Sequence, residues 1–407
     1  MSDASHLSTT CDDSLQGLCR QVKDQFRKQF RRESTLVVAA PGRVNLIGEH
    51  VDYNDGFVLP MAIERYVVIA ASPRSEPGCT TSRLHSLLVN ETVAFDWQPG
   101  EPIVKSSVPW ANYLLGALAG FVQRGHSVSA FDAVIGSSVP LGGGLSSSAA
   151  LEVATATLAE QLTGVTLSQA EKALLCQTAE HDFAGVPCGI MDQFSSVFGE
   201  ADHLMLLDCR SQEVKQVPLA SPDIEVLIAN SNVRHELSGG EYAERRRQCD
   251  EGLRITGRPS WRDVGMQDLL AIEDDLGPVR FRRARHVVSE IERTCKAAES
   301  VSSGDWSRVG ACMYASHDSL RDDFEVSCEE LDVLVSLAHE LGESAGVIGS
   351  RMTGGGFGGC TVSLVRTAAV VEVARVLGER YHRKTGIYPQ IFATRPARGA
   401  HVVEVST

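Results

Sequence analysis

A chain of 407 residues is long enough for two or three domains at roughly 150 residues each, and its formal charge of −14 repels phosphate backbones, which excludes nucleic acid and anionic membranes as expected partners. With 43% hydrophobic and 22% charged residues, the composition is that of an ordinary globular protein folded almost throughout. Eleven cysteines without CxxC pairs or zinc-ligand spacing favour reduced, buried thiols over a disulfide or metal framework.

The polar, acidic start lacks the basic and apolar segments of a secretory signal. The longest apolar stretch, 57–72, is interrupted by Glu64 and Arg65, so a cytosolic chain without a membrane span is expected. Leu15, Leu18, Val22, Phe26 and Phe30 recur at helical steps and predict an amphipathic first helix. Next come TLVVAAPG, GFVLPMAI and YVVIAASP, short apolar runs rich in β-branched residues that predict strands, as does FDAVIGSSVP. The string LGGGLSSSAALEVATATLAEQL passes from glycines through serines into a long helix with a serine N-cap, and a second helix is expected over 168–182. LMLLD and IEVLIAN read as strands, and 241 to about 341 as mainly helical. TVSLV and QIFAT are strands on either side of the helical AAVVEVARVLGERY. No internal repeat of fixed period is present. The pattern is α+β with two lobes, 1–215 and 216–407, divided in the polar stretch 211–222.

Three motifs carry chemistry. APGRVNLIGEHVDYNDGFVLPMAI, 40–63, places Arg43, Asn45, Glu49, His50, Asp52 and Asn54 between two apolar strands. A sugar needs that density of donors and acceptors, and carboxylates such as Glu49 and Asp52 can each accept from two hydroxyls. A solvated polar turn would use the same residue types, and spacing alone leaves both readings open. PLGGGLSSSAALE, 140–152, fits a phosphate cradle: glycines let the backbone approach an anion, and the amides of a helix start point at it. A glycine-rich turn with a multi-serine cap has the same pattern. A Walker A loop is excluded because no GK[ST] occurs, a protein kinase because HRD and DFG are missing, and a hydrolase nucleophile among Ser146, Ser147 and Ser148 because none of the three sits in a GxSxG elbow.

In SRMTGGGFGGCTVSL, 350–364, Gly354, Gly356 and Gly359 satisfy GxGxxG, but a strand follows where a dinucleotide fold requires a helix. Close backbone approach to a ligand or to the neighbouring motif is the better explanation. Between the second and third motifs, Asp192 follows Gly189 among Ile190, Met191 and Phe194, where an ionised carboxylate needs a partner or a purpose. Taken alone, it could equally be a cap or turn residue.

Together these strings resemble the galactokinase branch of the GHMP family of small-molecule kinases. GRVNLIGEHVDYNDGFVLPMAI is similar to its sugar signature, PLGGGLSSSAALE to its ATP motif and MTGGGFGGCT to its third motif. WANY, AEHDFAGVPCGIMDQF, LLDCRS, NSNVRHELSGGEY and SLRDDFEVSC extend the likeness over nearly the whole chain beyond the first helix. The resemblance implies a ribosomal-protein-S5-like N-terminal lobe, a ferredoxin-like C-terminal lobe and an active site in the cleft. It implies ATP- and Mg²⁺-dependent phosphorylation of the anomeric C1 hydroxyl of galactose, the entry step of galactose catabolism. Apart from the resemblance, a monomer or weak dimer is expected. By position, Arg43, Glu49, His50, Asp52, Gly189, Asp192 and Tyr242 would surround the sugar. Gly142, Gly144, Ser146 and Ser147 would cradle the ATP phosphates, Trp110 would line the adenine pocket, and Ser148 and Glu180 would hold magnesium. Asp192 is then the expected base, with Arg43 beside it and near the γ-phosphate.

One departure is Val51, where many relatives have Thr; the flanking Glu49, His50 and Asp52 are intact. The alternatives are an N-acetylgalactosamine kinase, whose phosphate motif is less similar, and a non-catalytic galactose and ATP sensor. Such sensors resemble this chain but lose the Ser-Ala pair that Ser148 and Ala149 supply here.

Overall fold

The computed structural model describes residues 14–76, 78–98, 101–219, 221–234 and 240–405; residues 235–239 of the NSNVRHELSGGEY string lie outside them. Helix α1 (Leu15–Phe30) starts at Ser14, whose hydroxyl accepts from the Gly17 amide, and ends where Arg31 turns left-handed. Its buried face, Leu18, Val22 and Phe26, packs on one side of a six-stranded sheet, each side chain contributing about 2 kcal/mol of burial.

That sheet is built from β1 (Leu36–Asn45), β3 (Pro60–Pro73), β4 (Thr81–Ser86), β5 (Glu91–Asp96), β6 (Phe131–Ser137) and β13 (His401–Val405), in the order β13-β1-β3-β6-β4-β5. The short β2 (Phe57–Val58) joins β7 (His203–Asp208) and β8 (Val214–Pro218) in a three-stranded sheet. Four helices follow in the same half of the chain: α2 (Ala111–Gln123), α3 (Ser147–Thr163), α4 (Gln169–Ala179) and α5 (Met191–Phe198). Of these, α3 packs on both β1 and β3, burying an Ala- and Thr-rich face whose small side chains allow close approach to the sheet. The capping box of Ser168 and Glu171 starts α4, which continues into a π-helical turn, Glu180–Ala184.

The second half contains a four-stranded antiparallel sheet of β9 (Ile224–Arg234), β10 (Val347–Thr353), β11 (Gly358–Arg366) and β12 (Gln390–Thr394). Its order, β12-β9-β11-β10, with helices between the first and second and the third and fourth strands, is the ferredoxin-like arrangement. Between β9 and β10 lie α6 (Gly240–Thr256), α7 (Met266–Ala271), α8 (Glu273–Ser303), α9 (Trp306–Asp322) and α10 (Glu329–Leu341); α11 (Val370–Thr385) joins β11 to β12. Helix α8 kinks at Gly277, followed by Pro278.

The predicted α+β class and the helical stretch from 241 to 341 agree with this architecture. Two expectations need correction. The 215/216 division falls inside β8, and the last strand crosses back to pair with β1, so the chain ends in the lobe where it began. The serine N-cap expected on α3 is absent: Ser146 sits there in the left-handed region, φ 58°, and makes no capping hydrogen bond. Among the described residues the cysteines are free thiols, and no helix is long and apolar enough to cross a membrane.

Candidate active site

Two cavities share a wall between the lobes. The larger, about 500 Å³, is lined by the apolar Leu88, Val89, Trp110 and Leu141 and by Gly142, Gly144 and Ser146 to Ser148. The smaller, about 190 Å³, is lined by Glu49, His50, Asp52, Gly189, Glu180 and Tyr242. Arg43, Asp192 and Gly355 line both.

The wall is an ion pair. Arg43, near the end of β1, donates from Nε to Asp192 Oδ1 at 2.8 Å, with Nη2 at 2.6 Å from the same oxygen, and from Nη1 to the Gly144 carbonyl at 2.6 Å. Ser146 donates its hydroxyl to Asp192 Oδ2, which explains why it leaves the cap position unfilled. Asp192 lies in the first turn of α5, so a sheet strand, the glycine loop and a helix start converge on one carboxylate.

The glycine loop itself is shaped by backbone. Gly142, Gly144 and Ser146 have φ of 71°, 70° and 58°, and α3 begins at Ser147 with its free amides facing the larger cavity. The loop is held from the other lobe by the third motif, which forms the β10–β11 turn. A Cβ on Gly359 would lie 3.1 Å from the Gly143 carbonyl, and one on Gly354 would lie 3.0 Å from that of Gly144. The expected close approach of these glycines to the neighbouring motif is therefore what the structure contains. The indole N–H of Trp110 donates to Glu91 at 2.9 Å, fixing the ring as a wall of the larger cavity.

The smaller cavity is lined by the buried Glu49 and His50 and by the half-buried Asp52 and Tyr242. Glu49 is 1% exposed, and its oxygens are taken by protein donors: Thr353 Oγ1 at 3.0 Å and the Gly354 amide at 2.6 Å on one, Asn45 and Arg351 on the other. Burial pushes its pKa up, opposed by Arg351 and the Gly354 amide. Asp52 is pushed up to about 7 by burial and by the charges of Asp192 and Glu49. A Cβ on Gly189 would fall 1.8 Å from Asp52 Oδ2, so only glycine fits against that carboxylate.

His50 is driven down to about 3 by burial and by His286, and so is neutral. Its Nε2 lies 3.2 Å from the Gly355 carbonyl and must carry the proton, leaving Nδ1 to accept from Tyr53 Oη at 2.7 Å. Tyr53 meets the same imidazole edge-on and Tyr242 meets it at a tilt, with ring centroids 5.9 Å and 5.5 Å away, and Tyr242 lines the cavity. At the junction of the two cavities Glu180, on the π-helical turn, is bonded to the Ser148 hydroxyl.

The residues that the resemblance placed in the site thus line one cavity or the other, whereas Asn45 and Asn54 of the first motif line neither, and Glu49 and His50 have most of their hydrogen-bonding capacity occupied by the protein. Sequence reasoning missed what occupies it. Arg351 and Thr353 stood unassigned in the third motif, and Asn45 was noted without its role as a Glu49 donor. Glu290 and His286 had only one signal, polar residues at a four-residue step on a helix face that turns out to be buried. Glu290 accepts from the Gly48 amide at 3.0 Å, and His286 Nε2 donates to the Glu49 carbonyl at 3.1 Å, anchoring the sugar-signature turn to α8.

Comparison with known proteins gives a consistent set of relatives. Residues 24–73 match the galactokinase galactose-binding signature, 112–200 the GHMP kinases N terminal domain and 296–383 the GHMP kinases C terminal domain. Human galactokinase is 48% identical over 396 residues, covering 95% of this chain and 97% of that protein; the Bos taurus galactokinase is 47% identical over the same length. The structure of Lactococcus lactis galactokinase complexed with galactose superposes with a TM-score of 0.87 at 31% identity, covering 93% of this chain and 98% of the other. Methanococcus jannaschii mevalonate kinase, at 18% identity and a TM-score of 0.62 over 90% of this chain and 100% of its own, shares the fold.

Proposed function

From the premise that this chain belongs to the galactokinase family of GHMP kinases, we propose that it transfers the γ-phosphoryl group of ATP to the anomeric C1 hydroxyl of α-D-galactose, giving galactose 1-phosphate and ADP. One observation supports this most: a cavity lined by a glycine loop and a helix start meets a small cavity lined by carboxylates, and the Arg43–Asp192 pair stands at the junction. Phosphoryl transfer needs in-line placement of two substrates and cancellation of charge, with little covalent work for the protein.

The sugar binds in the smaller cavity, with Asp52 its main carboxylate acceptor and Tyr242 its aromatic wall. Glu49 and His50 act chiefly by holding the turn, because their acceptors and donors are already engaged. Asp192 accepts the C1 hydroxyl proton. Arg43 balances the charge of that carboxylate and, from the same position, faces the phosphate on the nucleotide side. The amides at the start of α3 and the Gly142–Gly144 loop bind the phosphates, Ser146 and Ser147 add hydroxyls, and Trp110 lines the base pocket.

Magnesium fits the junction. Ser148 and Glu180 offer two hard oxygens side by side, and Mg²⁺ is commonly held by one or two protein oxygens plus waters and substrate phosphates. When bound, the cation neutralises charge on the transferring phosphates. We place the protein in the cytosol, as a monomer or weak dimer.

Asp192→Asn tests the mechanism. It keeps an acceptor for Arg43 while removing the ability to take a proton. The expected result is a loss of about 10⁴-fold in kcat, with galactose and ATP still bound and the melting transition intact. Retention of more than about a tenth of wild-type kcat would remove Asp192 from the role of base.

A further inference from the structure

Gln193 lines neither cavity and is fully buried, yet its side-chain amide joins three elements around the catalytic centre. From α5, its Nε2 donates to Glu152 Oε2 on α3 at 3.0 Å and to Glu180 Oε2 on the π-helical turn at 2.6 Å. In this orientation the amide hydrogens meet both carboxyl groups, whereas turned over it would set its carbonyl oxygen against them. Glu152 Oε1 and Gln193 Oε1 meet no partner among the described residues, so Glu152 and Gln193 are held here through the two N–H bonds, which tie α5 at once to α3 and to the π-helical turn.

Gln193 also follows Asp192 directly. Successive residues on a helix point about 100° apart, so the first turn of α5 sends Asp192 into the junction of the cavities and Gln193 into the interior beneath Glu180. A rigid link from that turn to Glu180 holds the carboxylate beside Ser148 and in register with Asp192.

We propose that Gln193 is the positioning residue of the divalent-cation site: its amide fixes the rotation of the Glu180 carboxylate so that Glu180 and Ser148 present their oxygens together to the cation. The proposal rests on the reading of Glu180 and Ser148 as magnesium ligands. Groups that orient a ligand from behind typically account for about 10- to 100-fold in metal affinity, although they never touch the metal.

The test uses Gln193→Met, which keeps length and removes both donors, and Gln193→Asn, which keeps the amide but withdraws it by one methylene. Glu180→Gln sets the scale. Mn²⁺ binding to the full-length protein with ADP is read from the free-Mn²⁺ electron paramagnetic resonance signal, alongside kcat against Mg²⁺ concentration, galactose binding by calorimetry and thermal melting. Both Gln193 variants should weaken Mn²⁺ binding by about ten-fold and raise the Mg²⁺ requirement equally, while galactose affinity stays at the wild-type value. Should the Met variant fail to fold, the Asn variant carries the same test. If Glu180→Gln weakens Mn²⁺ binding but the Gln193 variants that fold do not, Gln193 merely fills the interior and the proposal is overturned, with the cation-site reading intact. If Glu180→Gln leaves Mn²⁺ binding unchanged, the cation-site reading itself fails and the proposal falls with it.

Discussion

The two halves of the active site are made of different materials. The nucleotide side is backbone: glycines at positive φ, helix amides, and a loop braced by another glycine turn so closely that an added Cβ would press on its carbonyls at 3.0–3.1 Å. The sugar side is buried side chains, with carboxylates, histidines and arginines held by hydrogen bonds from both lobes. A backbone cradle suits a ligand recognised by its charge, since amides supply positive potential at little desolvation cost. Discriminating one hexose from another needs donors and acceptors at fixed points in space, which only side chains supply, and burying them costs stability. The nucleotide side should therefore fail sterically when altered, and the sugar side electrostatically.

The largest expected effect on this contrast is in stability. Asp52 has its pKa pushed up to about 7 from 3.8, so its neutral form favours the fold; that contribution is complete below the unfolded-state value and is lost as the pH rises through 7. Asp52→Asn should accordingly stabilise the ligand-free protein by up to about 4 kcal/mol at pH 8, falling below about 2 kcal/mol at pH 5, while galactose binding is lost. Urea unfolding at the two pH values measures it. Equal gains at both would mean that the buried charge is not what the sugar side holds at a cost.

On the nucleotide side, Gly359→Ala places a Cβ 3.1 Å from the Gly143 carbonyl at a backbone φ of 86°. The loop must shift, costing about 2 kcal/mol in strain and raising the ATP KM by roughly ten-fold, with the galactose KM unchanged. Steady-state kinetics in each substrate separate the two. Equal rises in both KM values would break the division into backbone and side-chain halves.

The smallest effect concerns one hydroxyl. Tyr242→Phe keeps the ring against His50 and Tyr53 and removes only the phenol oxygen, so the galactose KM should rise by less than about ten-fold, near 1 kcal/mol, and the ranking of sugars should loosen. ATP binding should not change. An unaltered galactose KM and ranking would take Tyr242 out of sugar recognition.

These materials also explain what was legible in the sequence. The nucleotide loop could be read because glycines and a helix start are local signals, and every residue of the cradle lies within 142–148. Most strands and the long helical stretch followed from periodicity, but the β4–β5 hairpin, helix α2, β10 and the returning β13 did not. HVVEV is short and its pairing partner lies far away in the chain: β13 is a strand because β1 offers it an edge across more than three hundred residues. The sugar signature was visible as a cluster, but sequence could not say which of its groups were spent internally. That depended on Arg351, Thr353, Glu290 and His286, all placed against the turn by the fold of the other lobe. The Ser146 cap was misread because a serine before a helix usually serves the amides, whereas here the stronger partner is a carboxylate from another helix.

The most direct test of the whole account is the reaction of the wild-type protein itself. Purified protein with Mg²⁺ and ATP is offered galactose, N-acetylgalactosamine, glucose and mannose separately, ADP release is followed, and the products are read by phosphorus and proton magnetic resonance. The account predicts clear preference for galactose, with one phosphate on the anomeric oxygen in the α configuration. Preference for N-acetylgalactosamine, phosphate on any other hydroxyl, or galactose and ATP bound without turnover would contradict it.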